Sequence, residues 1–162
     1  MPSVRKSYDE ELLQLDTLLA RMGHEAGAAI ESALTALRND DIELARSVVA
    51  RDSQIDASEH EIEHRCLQLL LRQQPVASDL RKVSTALKMV TDMERIGDQA
   101  ADIADIVIDM NEKLPDKFLH VCKMGVAAMK MVTDSVTAYV DEDLELARQV
   151  IRDDDIVDGL FL

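Results

Sequence analysis

The chain repeats itself at a separation of 102 residues, and this repeat is the strongest constraint on its fold. Residues 41–46 match residues 143–148 except that Ile42 is replaced by Leu144. Further matches without a gap pair Met22-Gly23 with Met124-Gly125, Ala26 with Ala128, Thr35-Ala36 with Thr137-Ala138, Val48 with Val150, Asp52 with Asp154 and Asp56 with Asp158. A repeat of two or three helices is one supersecondary unit that stacks on its neighbour. The sequence therefore predicts two related units packed together.

Composition and the positions of the prolines predict that both units are helical. Aromatic residues make up only 2% of the chain, whereas strands are enriched in aromatic and β-branched side chains. Pro2, Pro75 and Pro115 each fall where a helix could begin, and none interrupts a long periodic run. We expect an all-α fold of long antiparallel helices, at about 8–38, 41–72, 76–112, 116–139 and 142 to the end.

The second repeat is shorter than the first. The first copy continues through a whole further helix at 76–112, whereas the second ends soon after Asp158. The sequence thus predicts a complete three-helix bundle at 8–112, followed at 116–162 by the first two helices of a truncated repeat. We expect a fragment or a shortened homologue. Val150, Ile151 and Val157 would then lack partners, and we expect them to pack against another copy of the chain.

Charge and composition exclude several classes of protein. The 47% of apolar residues suffices for a packed core. A net charge of −14 argues against nucleic-acid binding and against docking on anionic lipid. No uncharged run reaches the roughly 18 residues of a membrane span, and no apolar signal segment begins the chain, so we expect a cytoplasmic protein. Cys66 and Cys122 do not make a disulfide framework, and we expect them to be reduced.

Two acidic stripes predict a metal site. At 100° per residue, the carboxylates of each helix lie beside its apolar arc. The stripe of the second helix contains Asp52, Asp56, Glu59 and Glu63, and that of the third contains Glu94, Asp98, Asp102, Asp105 and Asp109. With the helices folded antiparallel about Pro75, Asp52 faces Asp98 and Asp56 faces Glu94. Four carboxylates at one level suit Mg²⁺, Mn²⁺, Ca²⁺ or ferric iron, and Gly97 would permit close helix approach.

Two alternatives remain at this point. Residues 60–64 (HEIEH) fit a zinc-protease motif, but both histidines lie opposite the apolar arc. Glu61 and His64 also fit one of the two Glu-x-x-His pairs that a di-iron site needs, both of which must face the interior of the bundle. On this basis, a carboxylate-bundle protein for metal storage or redox chemistry is one alternative. A metal-free helical interaction module, with solvated acidic faces, is the other. We find no nucleophile with a base partner and no phosphate-binding loop, and expect no enzymatic activity.

Three segments of the chain are distinctive in sequence: residues 51–56 (RDSQID), 73–81 (QQPVASDLR) and 92–98 (DMERIGD). Together they resemble the PhoU family of bacterial phosphate-transport accessory and phosphate-signalling proteins. The resemblance covers essentially the whole chain. It implies two three-helix bundles related by an internal repeat, here one complete and one incomplete. It also implies a non-enzymatic role, as a negative regulator of phosphate uptake and of the phosphate regulon.

The resemblance also implies a metal site and partners. Its carboxylate motifs fall on Asp52, Asp56, Glu94 and Asp98, and would hold Fe, Mn, Mg or Zn. Further candidates are Glu59 and Asp102 of the acidic stripes and Asp154 and Asp158 of the second repeat. A full second copy would place its last two acids near positions 196 and 200, so Asp154 and Asp158 are half a site. The implied partners are the ATPase of the phosphate ABC transporter and the phosphate-sensing histidine kinase. A homodimer or higher oligomer, at the inner face of the membrane through these partners, is also implied.

Overall fold

The protein is described by a computed structural model that covers residues 4–72, 76–110 and 119–161. Its five α-helices are α1 (Val4–Asn39), α2 (Ile42–Arg72), α3 (Ala77–Met110), α4 (Leu119–Val140) and α5 (Leu144–Phe161). The predicted all-α class is confirmed, and the helix ends that fall within the described residues lie within a few residues of those predicted. The turn predicted about Pro75, the end of the third helix predicted at 112 and the start of the fourth predicted at 116 fall outside the described residues.

Packing of these helices follows from their apolar arcs. Each of α1, α2 and α3 packs against the other two, α4 packs on α1, and α5 packs on α4. The predicted arcs of α2 and α3 are buried, with Ile55 at 4% exposure and Val90 at 0%. The apolar pattern of the sequence also predicts Leu44 and Ile108 in these arcs, but both are only half-buried. Val107 takes the core position at the end of α3 instead of Ile108.

The internal repeat is visible in the turns that start α2 and α5. Asp41 accepts a hydrogen bond from the Leu44 backbone N–H at 2.9 Å, and Asp143 accepts one from Leu146 at 3.0 Å. These are helix N-caps, which satisfy a free backbone donor. The residue before each cap, Asp40 in the first turn and Glu142 in the second, has a φ of 54°. Both turns therefore have the same conformation 102 residues apart.

The two repeats meet at a reciprocal crossing of α1 and α4. A Cβ on Gly23 would lie 2.7 Å from Val136 Cγ2, and a Cβ on Gly125 would collide with Leu34 Cδ1. The repeat relates Gly23 to Gly125 and Leu34 to Val136, so each glycine receives the large side chain of the other unit. Because both glycines lack a side chain, the two helices approach closely at this crossing.

Most of the surface of the outer helix α5 is left exposed by the other helices. It has no buried residue, and Ile151 is 74% exposed, Ile156 55% and Phe161 79%. The other residues predicted to lack partners, Val150 and Val157, are half-buried. No helix in the described ranges is long and apolar enough to cross a membrane.

Candidate metal centre

Three carboxylates meet between α2 and α3. Asp52, Asp56 and Asp98 each offer an oxygen, and the three oxygens all lie within 4.8 Å of one another. Asp52 and Asp56 are half-buried, while Asp98 is exposed. The i,i+4 spacing puts Asp52 and Asp56 on one face of α2, and the antiparallel α3 brings Asp98 to the same level. The cluster lies at the edge of the bundle, open to solvent on one side.

Gly97 allows α3 to approach this cluster closely. A Cβ at this position would lie 2.9 Å from Ile55 Cδ1 and 3.4 Å from Asp52 Oδ1. Ile55 belongs to the apolar core and Asp52 to the carboxylate cluster. The absence of a side chain at Gly97 therefore leaves room for both residues. It brings the backbone of α3 against the core and against the Asp52 carboxylate.

Within the described ranges, the carboxylates of the cluster receive few hydrogen bonds to offset their burial. Asp52 Oδ1 and Asp56 Oδ1 are buried, and neither has a hydrogen-bond partner among the described residues. Burial, and then the charges of Asp56 and Asp98, raise the pKa of Asp52. Burial and neighbouring negative charges both disfavour ionisation of a carboxyl group. The raised pKa of Asp52 therefore reflects like charges held close together in partly desolvated positions. A bound cation would remove this cost.

The remaining predicted residues surround the trio at different distances. Glu94 is half-buried and lies outside the trio, but its pKa is raised by burial and by the neighbouring Asp98, Glu59 and Asp56. Burial and Glu63 likewise raise the pKa of Glu59. Asp102 is exposed on α3 and adds to the field at Asp52.

The two predicted ligands of the second repeat are placed differently. Asp154 and Asp158 are exposed on α5, and no α3-like helix faces them among the described residues. The neighbouring Asp153 instead pairs with Lys130 at 3.1 Å. The structure therefore groups three candidate ligands of the first repeat, whereas Asp154 and Asp158 belong to no such group of three among the described residues.

The donor set fits a hard or borderline metal ion. Carboxylate oxygens are the preferred ligands of Mg²⁺, Ca²⁺ and Mn²⁺. Two of the three residues carry a buried oxygen that has no hydrogen-bond partner in the described part of the chain, as expected where a ligand completes the site. Asp52, Asp56 and Asp98 would hold such an ion, with Glu94 and Glu59 close enough to respond to its charge.

Sequence reasoning missed a small cavity beside Asp52. It has a volume of about 130 Å³, and its polar lining comes from His24, Glu25, Arg51, Asp52 and Gln54. The Arg51 side chain is held against its own helix by bonds from Nε to the Ser47 carbonyl at 3.2 Å and from Nη2 to Ser47 Oγ at 3.1 Å. Because these residues come from two helices without a motif spacing, the sequence contains no signal for the cavity.

The histidine motif of α2 points to solvent. The His60 side chain is 77% exposed, and the His64 ring is 2.8 Å from the Gln68 amide. Glu61 pairs with Arg21 and Arg65 at 3.4 and 3.5 Å. Within the described ranges, no histidine joins a cluster of three potential metal ligands. This geometry does not favour the zinc-protease or di-iron interpretations.

Comparisons with known proteins agree with the helical repeat. The model of the PhoU domain matches residues 19–107 and 121–162. A PhoU homologue of the phosphate-specific transport system from Clostridium acetobutylicum is 39% identical, over 97% of this chain and 73% of that protein. One from Aquifex aeolicus is 37% identical, over 94% of this chain and 69% of that protein. This chain is thus shorter than both relatives.

Solved structures show the same fold. PhoU from Pseudomonas aeruginosa superposes with a TM-score of 0.89 at 34% identity, covering 95% of this chain and 75% of that one. The phosphate transport system regulatory protein PhoU from Streptococcus pneumoniae gives 0.85 at 29% identity, covering 95% and 73%. The fold is thus a helical-bundle repeat whose first unit carries a carboxylate cluster. The chain belongs to the PhoU family.

Proposed function

We propose that the chain is a non-enzymatic, metal-binding regulator of phosphate uptake. Its relatives are named accessory proteins of the phosphate-specific transport system, and one solved relative is named a regulatory protein of that system. The observation that carries the metal-binding part is the meeting of Asp52, Asp56 and Asp98 within 4.8 Å. The names of the relatives support a role in phosphate uptake, and the carboxylate cluster supports metal binding.

The site's own residues suggest how metal acts. A bound cation would neutralise the carboxylates of α2 and α3, which repel one another in the metal-free chain. Asp52 and Asp56 lie on α2 and Asp98 lies on α3, so the ion would fix the spacing of these helices. Gly97 keeps α3 close enough to α2 for one ion to reach both. The metal is therefore structural or sensory, and no reaction step depends on it.

The proposed partners are the ATPase of the phosphate ABC transporter and the phosphate-sensing histidine kinase. An adaptor needs a rigid body with separate faces, and the five helices offer two such faces. One is the acidic face of α2 and α3, and the other is the α5 surface with exposed Ile151 and Phe161. Exposed apolar patches commonly mark interaction sites. We place the protein in the cytoplasm, at the membrane through these partners, as a homodimer or higher oligomer.

Co-purification from cells tests this proposal. The parent and an Asp52→Asn/Asp98→Asn variant are expressed in a bacterium that lacks its own family member, and the transporter ATPase and kinase are quantified in each eluate. We expect both partners with the parent at high phosphate, and a large loss with the variant. Repression of a phosphate-regulon reporter should fall in parallel. Parent chain that binds neither partner and leaves the reporter derepressed would contradict the adaptor role.

A further inference from the structure

A largely buried ion pair lies where α1, α3 and α4 meet. Lys82 Nζ donates a hydrogen bond to Asp16 Oδ2 at 2.9 Å. Asp16 is only 6% exposed, and the Lys82 side chain is 20% exposed. The second oxygen of Asp16 is buried and has no partner within the described ranges. Removing two charges from water in this way costs free energy that their attraction does not always recover.

Tyr139 connects α4 to this pair. Its hydroxyl donates to the backbone carbonyl of Lys82 at 2.9 Å, and the Lys82 ammonium lies 5.8 Å from the centre of its ring. Glu142, in the turn between α4 and α5, approaches the same ammonium at 3.7 Å. One lysine of α3 thus contacts α1, α4 and the start of the α4–α5 turn.

Within the described residues, the first repeat does not have the tyrosine of this cluster. The residue equivalent to Tyr139 in the first repeat is Leu37, which packs against the apolar core. The rest of the α1–α4 crossing is reciprocal, with Gly23 against Val136 and Gly125 against Leu34. A buried polar contact can select one arrangement at some cost in stability.

We propose that Asp16, Lys82 and Tyr139 form a positional lock that fixes the α4–α5 hairpin on the α1–α3 bundle. The lock holds the exposed apolar side chains of α5, such as Ile151 and Phe161, in one place relative to the first repeat. It does not depend on metal, because none of its three residues is a candidate ligand. The lock is therefore independent of the proposed metal-binding function, and each can be tested without the other.

Hydrogen exchange of the metal-free, full chain tests the lock. Lys82→Met alone would leave the Asp16 charge buried without a partner, and this change could unfold the protein. The main variant is therefore Asp16→Leu/Lys82→Met, which removes both charges. Tyr139→Phe removes only the hydroxyl that reaches Lys82. Lys88→Met, an exposed lysine on the same helix, is the matched control.

We expect the double variant to keep its helix content by circular dichroism and its slow exchange in α1 and α2. Amides of α4 and α5 should exchange about tenfold faster or more, as in local opening of one unit. Tyr139→Phe should give a smaller increase in the same peptides, and Lys88→Met none. Unchanged exchange of α4 and α5 in the double variant would overturn the proposal. Equal acceleration in all five helices would also overturn it, because the cluster would then contribute only general stability.

Discussion

Gly97 and Asp52 lie in direct apposition across the α2–α3 interface, with Asp52 Oδ1 only 3.4 Å from the point where a Cβ of Gly97 would stand. The Asp52 carboxylate therefore packs against the backbone of α3, beside Asp98. This contact connects the helix packing with the chemistry of the site. A side chain at position 97 would move α3 away from the core and separate the carboxylates of the two helices.

Gly97→Ala should lower both stability and metal affinity. The new Cβ would lie 2.9 Å from Ile55 Cδ1, and overpacking a core costs about 1–3 kcal/mol. The gain in helix propensity is only about 1 kcal/mol, so a net loss of up to about 2 kcal/mol in unfolding free energy follows from these two estimates. Urea unfolding measures it. Gly159→Ala, where nothing lies within 4 Å, should not destabilise the chain.

The two helix caps should differ in their effect, although their geometry is the same. Losing an N-cap costs about 1 kcal/mol. Asp41→Ala should therefore lower the free energy of global unfolding by about this amount, because α2 is part of the packed bundle. Asp143→Ala should mainly increase hydrogen exchange in the first turn of α5, because that helix has no buried residue. Equal losses in global stability would show that α5 unfolds together with the bundle.

Stability of the metal-free chain should depend on pH through Asp52. Because burial and then Asp56 raise its pKa above the ordinary value of 3.8, the folded chain binds this proton more tightly than the unfolded chain. The contribution of Asp52 to the unfolding free energy must then fall as pH rises from 3.8 through the raised pKa. Asp52→Asn should stabilise the metal-free chain at neutral pH more than at about pH 3.

Asp153 is the control for this pH experiment. Hydrogen bonds from Gln149 and Lys130 lower its pKa, so its contribution to stability is present above the ordinary carboxyl pKa and is lost as pH falls through the lowered one. Asp153→Asn should therefore show the opposite sign, with its largest loss at neutral pH. Denaturant unfolding at several pH values measures both variants. The same sign for both would contradict the assignment of their environments.

Metal should reverse the effect of the Asp52→Asn substitution. Without metal, the variant loses like-charge repulsion and should unfold at a higher temperature than the parent. With metal at about 100 times its dissociation constant, the parent gains about 2.7 kcal/mol, and the variant should gain little. Thermal unfolding with EDTA and with Mn²⁺ measures this crossover. A parent melting temperature that Mn²⁺ does not change would contradict metal binding at this cluster.

The fold could be predicted from sequence to the extent that it depends on periodicity and repetition. The repeat predicted equivalent helix starts near Asp41 and Asp143, though not the caps themselves, and the i,i+4 spacing predicted that Asp52 and Asp56 share one face. The antiparallel register predicted that Asp98 and Glu94 would both join them. The structure brings Asp98 into the trio and leaves Glu94 outside it, because two residues at one level of neighbouring helices need not bring their carboxylate oxygens together. The lock formed by Asp16, Lys82 and Tyr139 was not foreseen, because each of its residues comes from a different helix and no spacing links them.

Metal binding by the carboxylates between α2 and α3 is tested by calorimetric titration of the dialysed chain with Mn²⁺, together with elemental analysis of the same samples. Asp52→Asn/Asp98→Asn is the test variant, and Asp105→Asn/Asp109→Asn, which removes two exposed carboxylates from the same stripe, is the matched control. We expect the parent and the control to bind Mn²⁺ and the test variant not to bind it. Equal binding by all three proteins, or no binding by the parent, would show that this cluster is not a metal site.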